Sequence, residues 1–111
     1  MNVPPAIIEQ VVEGITDNFP ECAICLRCTG WHYNERQFEF FDDETGKTHQ
    51  LDKAKLLATF PLILSDKWPR GCTPPPTTTD WEAWENWLCQ SDANDFDCFA
   101  QLACFGEVIY G

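Results

Sequence analysis

The sequence predicts an α+β fold: a small antiparallel sheet, centred on a hairpin at about residues 31–51, packed against three to four helices. Three observations point there. Apolar residues recur at helical spacing near both ends of the chain, an aromatic period-two run fills the middle, and an acidic, glycine-bearing turn follows that run. At 111 residues, 44% hydrophobic and 14% aromatic, the chain suits a single domain with one core. A domain of this size buries only about two thirds of its unfolded surface, so a homodimer covering a further apolar face is compatible with it.

The first helix is expected over residues 5–18. Ile7, Ile8, Val11, Val12 and Ile15 mark one face; Glu9, Gln10, Glu13 and Asp17 fill the other. Pro4 and Pro5 suit its start, and Asn18 and Pro20 are expected to end it. Residues 22–28, CAICLRC, alternate like a short strand but are too few to exclude a helical turn.

From Trp31 to Phe41 the pattern is that of a strand, with Phe38 and Phe40 on one face and Glu39 and Phe41 on the other. Asp43-Glu44-Thr45-Gly46 supplies the turn, and Lys47 to Leu51 returns as the partner strand. Asp52 reads as the N-cap of a second helix carrying Ala54, Leu57, Ala58 and Phe60, with Pro61 stopping or kinking it.

A Pro/Thr-rich loop at about residues 69–79 joins this hairpin-helix part to an acidic helical C-terminal part, and its three consecutive prolines favour an extended path. Thr79-Asp80-Trp81-Glu82 fits a capping box opening a helix that reaches about Gln90. Ser91-Asp92 breaks it. A last helix from about Asp95 carries Phe96, Phe99, Leu102 and Ala103, with Gly106 as its C-terminal cap and Val108–Tyr110 as an apolar tail or edge strand.

Charge limits the partners. Eighteen acidic residues against seven basic give a net charge of −11. Residues 1–70 hold eleven acidic and all seven basic residues, whereas 71–111 hold seven acidic and no Lys or Arg. Such a chain repels phosphate backbones and anionic lipid, which excludes direct nucleic-acid binding and membrane docking. Plain solubility is the simplest reading of the charge; a basic or nucleic-acid-binding protein is the favoured encounter. The N-terminus lacks a basic n-region, and seven cysteines without a secretory signal point to free thiols in the cytoplasm.

Two constellations carry functional candidates. Cys22, Cys25 and Cys28 form a CxxCxxC run, to which Cys72, His32 or His49 could add a fourth zinc ligand. A second ligand pair is missing, and free cysteine often serves as a small buried hydrophobe, so the packing role outweighs this alternative of a small structural zinc module. A thioredoxin-like reading of Cys22 and Cys25 fails on context, because the motif follows a helix and sits beside Glu21. No Ser elbow, phosphate loop or EF-hand spacing occurs, so neither catalysis nor a cofactor is expected. The other constellation is DWEAWENWL. Trp81, Trp84 and Trp87 at helical spacing are more often core than surface, but with Glu82 and Glu85 they could form a protein-binding face for a basic partner.

The segments FEFFDDETGKTHQLDKAKLL and DANDFDCFAQLACFGEVIYG, about a third of the chain, resemble a loose set of small bacteriophage and prophage proteins. The cysteine richness and the Trp-rich segment depart from that pattern. The resemblance implies a phage or prophage product in the host cytoplasm, from a group with no assigned activity. The expected function is therefore a non-enzymatic accessory protein that engages a host or phage protein through an acidic, Trp-bearing surface, on the pattern of a DNA mimic.

Overall fold

The computed structural model describes residues 2–22, 26–32 and 37–110, with only the backbone for 19–22, 27, 31 and 32. The described elements are helix α1 (Pro5–Cys22), strands β1 (Leu26–His32), β2 (Gln37–Asp42) and β3 (Lys47–Leu51), then helices α2 (Lys53–Leu64), α3 (Trp81–Gln90) and α4 (Ala93–Phe105). The fold is α+β: a three-stranded antiparallel sheet in the order β1-β2-β3 with four helices. No helix among the described residues is long and apolar enough to cross a membrane.

The sheet follows from its period-two pattern. Phe38, Phe40 and Asp42 of β2 are buried, while Gln37, Glu39 and Phe41 are half-exposed on the other face. Asp42 pairs with Lys47 across the hairpin, and Gly46 takes the left-handed conformation (φ 71°) that glycine adopts at no steric cost. The additional strand is β1, whose register against β2 shifts between Cys28 and Gly30. Trp31 and His32 belong to β1, not to the hairpin strand expected to begin at Trp31.

Helix α1 runs past both expected stops. Asn18 turns its amide onto the Gly14 carbonyl at 2.7 Å, one turn back, and the helix continues through Pro20 to Cys22. Helix α2 likewise passes Pro61, which sits only one turn from the end, and Ser65 N closes that turn on Pro61 O at 3.1 Å. Its buried stripe is Leu56, Thr59, Phe60 and Ile63, rotated from the expected one; Ala54 and Ala58 face solvent.

The N-cap of α3 is Asp80, one residue later than the expected Thr79 cap. Helix α4 starts at Ala93 with Asp92 as its cap, and Asp95 serves as the third helical residue of a reciprocal capping box. Gly106 caps the far end at φ 76°, and residues 108–110 form no strand.

One core joins these layers. Helix α1 contributes Ile8, Val11, Val12 and Ile15, the sheet Phe38, Phe40 and Leu51. At Gly14 the ring of Phe96 lies so close that an added Cβ would meet its Cε1 and Cζ at 2.1 Å, so this contact between α1 and α4 requires glycine. Phe60 is the aromatic hub, edge-on to Trp84 (5.3 Å between centroids), Phe99 (5.6 Å) and Trp81 (6.0 Å).

Candidate functional site

The expected tryptophan face is divided by the fold. Trp84 is fully buried and Trp87 is 5% exposed, so these two rings take the core role that their helical spacing favours, and the alternative partner-binding face does not include them as exposed residues. Trp84 packs against Phe60 of α2 and Trp87 against Trp68, and the Pro/Thr-rich loop gives the indoles acceptors. Trp84 Nε1 donates to Thr78 O at 2.9 Å, and Trp68 and Trp87 both donate to Thr73 O, at 3.0 and 3.1 Å. A buried indole N–H needs such an acceptor, and here the loop carbonyls provide it. Trp84 stands edge-on to Trp87 at 5.4 Å, and Trp87 edge-on to Trp68 at 5.3 Å.

Trp81 differs. It opens α3, is half-buried, and lines a groove of about 490 Å³ between the start of α1 and α3, with Pro4, Ala6, Glu82, Glu85 and Asn86 around it. Glu82, Glu85 and Asn86 are exposed. The groove's walls are fixed to one another: Gln10 Nε2 of α1 donates to Glu85 O at 3.1 Å and to Cys89 Sγ at 3.2 Å. The positive end of the α3 dipole offsets part of the charge of Asp80 and Glu82, but Glu85 lies beyond the first turn, where that effect has faded. Trp81, Glu82 and Glu85 thus remain together at the surface.

The CxxCxxC cluster falls partly outside the described residues, because nothing is described of the side chains of Cys22 and Cys25. Cys28 is half-buried, its thiol donates to Gly30 O, and burial raises its pKa. Among the described residues no group of three or more His, Cys, Asp and Glu side chains is placed to hold a metal ion. His49 sets its ring edge-on to Phe105 at 4.8 Å, and its Nε2 is buried without a hydrogen-bond partner. Cys72, one of the three candidate fourth ligands, meets Cys98 of α4, with the sulfurs 3.0 Å apart. The 26-residue separation of these two cysteines belongs to no motif, so nothing in the sequence signals the pair.

Buried polar groups cluster at the chain's end. Gln101, 1% exposed, accepts from Ile109 N (3.0 Å) and Tyr110 N (2.8 Å) and donates to Tyr110 O (3.1 Å) and Asp97 Oδ2 (3.0 Å). Burial raises the Asp97 carboxyl, with the Gln101 bond acting against it. These bonds fasten the tail to α4, and Asp97 and Tyr110 also line a cavity of about 270 Å³ that holds Cys72 and Cys98. No protein-family model, curated protein or solved structure matches the chain.

Proposed function

We propose that this protein is a non-enzymatic binding protein that presents an acidic groove, built from Trp81, Glu82 and Glu85, to a basic segment of a protein partner. One observation carries the reading: two exposed carboxylates stand beside a half-buried indole in a groove about 490 Å³ in volume. An Arg or Lys side chain entering it meets opposite charge and an aromatic surface, and a cation–aromatic contact at an exposed site is worth about 0.5–1 kcal/mol. The absence of Lys and Arg from residues 71–111 removes competing internal cations from this part of the chain. The resemblance to small phage and prophage proteins supports an accessory role inside a host cell, with a basic or nucleic-acid-binding protein as the target and DNA mimicry as the mode. Neither a metal nor a cofactor takes part.

The experiment is a titration of the protein with an Arg-rich peptide at physiological salt, followed by tryptophan fluorescence. Saturable binding that weakens with added salt and is lost in a Glu82→Lys/Glu85→Lys double variant is expected. Equal responses from the native chain and the double variant would reject the groove as the binding site.

A further inference from the structure

A second feature lies apart from the groove, where the Pro/Thr-rich loop meets α4. Cys72 Sγ and Cys98 Sγ are 3.0 Å apart, so a displacement of about 1 Å brings them to the disulfide distance of about 2.05 Å. The backbone on both sides is already fastened. Thr73 N donates to Asp95 Oδ1 at 2.8 Å, and Thr73 O receives the indole N–H groups of Trp68 and Trp87. Asp95 is itself held by its capping box one turn before Cys98. The two sulfurs are thus presented to one another by elements that have no freedom to separate without breaking these bonds.

The pair is also reachable. Cys98 is buried, but Cys72 is half-exposed, and both line a cavity of about 270 Å³ with Gly71, Asp97 and Val108. We infer that Cys72 and Cys98 form a dithiol that closes to a disulfide by exchange with a small-molecule disulfide such as oxidised glutathione, stapling the loop to α4.

The step balances in two exchanges. The Cys72 thiolate attacks one sulfur of the small disulfide, whose S–S bond breaks and releases one small thiol. Cys98 Sγ then attacks the Cys72 sulfur of the mixed disulfide, forming the Cys72–Cys98 bond and releasing the second small thiol. The protein gives up two electrons and two protons, and the small disulfide takes both. Excess reduced thiol runs the sequence backwards.

The full-length protein, equilibrated across a series of reduced to oxidised glutathione ratios, is quenched by alkylation and cleaved before aspartate. That cleavage places Cys72 in fragment 66–79, Cys89 in 80–91, and Cys98 with Cys104 in 97–111. Fragments 66–79 and 97–111 are expected to be joined at the oxidising end, with the link retained in Cys104→Ser and absent in Cys98→Ser. Alkylated or singly glutathionylated Cys72 in the native chain at the oxidising end overturns the inference, as does a link from Cys72 to any other fragment.

Discussion

The hydroxyl of Tyr110 donates to Asp42 Oδ1 at 2.7 Å, tying the C-terminal tail to the end of β2, 68 positions earlier in the chain. The same carboxylate accepts from Glu44 N at 2.9 Å and Thr45 Oγ1 at 3.0 Å, so it organises the hairpin turn and anchors the tail at once. Burial pushes the Asp42 carboxyl up, but the hydrogen bonds from Tyr110, Glu44 and Thr45 outweigh it and hold the group below its ordinary range. A carboxyl lowered in the folded state contributes stability above its unfolded pKa of about 3.9, and that contribution is lost as pH falls through the folded value. Tyr110→Phe is therefore expected to lower the melting temperature at pH 7, with the gap to the native chain closing in strong acid. A gap independent of pH would place the effect elsewhere.

Gly14→Ala is expected to destabilise the fold by about 1–3 kcal/mol, the usual cost of overpacking, because the new methyl overlaps the Phe96 ring. Urea denaturation measures it. Combining it with Phe96→Leu should recover part of the loss; a fully additive double variant would show that the two residues do not share this space.

Trp84→Phe removes buried volume and leaves Thr78 O without its donor, for an expected cost of about 2–3 kcal/mol. Trp81→Phe, at a half-buried site, should cost about 1 kcal/mol or less. Chemical denaturation of both variants checks the order. The reverse order would return Trp84 to the list of candidate contact residues.

Closure of the Cys72–Cys98 bond is expected to raise stability by about 3.5 kcal/mol on the chain-entropy account of a loop this long. Its rate should depend on pH. Burial raises the Cys72 thiol, Cys98 hydrogen bonding opposes this, and the carboxylates of Asp95, Asp92 and Asp97 facing it raise it further. The Cys98 thiol is raised as well, again chiefly by burial. Below its pKa, the thiolate fraction of Cys72 grows about tenfold per pH unit, and quenched-flow mass spectrometry should find closure accelerating in proportion between pH 7 and 9. A rate flat over that range would show that the attacking thiol is already ionised at pH 7, against the raised Cys72 thiol.

Glu82→Lys/Glu85→Lys is expected to change unfolding free energy by less than about 1 kcal/mol, since both side chains are exposed. Thermal melts of the double variant make this check, and an unaltered melt assigns any loss of peptide binding to the groove's charge.

Local chemistry was legible where a few neighbouring residues decide it. The alternation of Phe38 and Phe40, the Asp52 cap, the Gly46 turn and the Gly106 terminus each rest on rules spanning about four residues, and the fold places all of them as expected. Stops judged from the same local rules failed at Asn18 and Pro20, because tertiary packing of the apolar face sustains a helix past residues that would end it in isolation, and of the two outcomes open at Pro61 a stop is the one α2 does not take.

By itself the sequence determined the α+β class, the acidic balance and the identity of most core-facing residues, since periodicity and charge are properties of neighbours along the chain. Only the tertiary structure decided what those residues meet. Packing against Phe60 and Trp68, with acceptors from the returning Pro/Thr-rich loop, encloses Trp84 and Trp87 while Trp81 stays beside Glu82 and Glu85, and the same return brings Cys72 to Cys98. Which indole is wrapped and which sulfur finds a partner depends on the path of that loop through space, and no spacing in the sequence encodes a contact made by such a return.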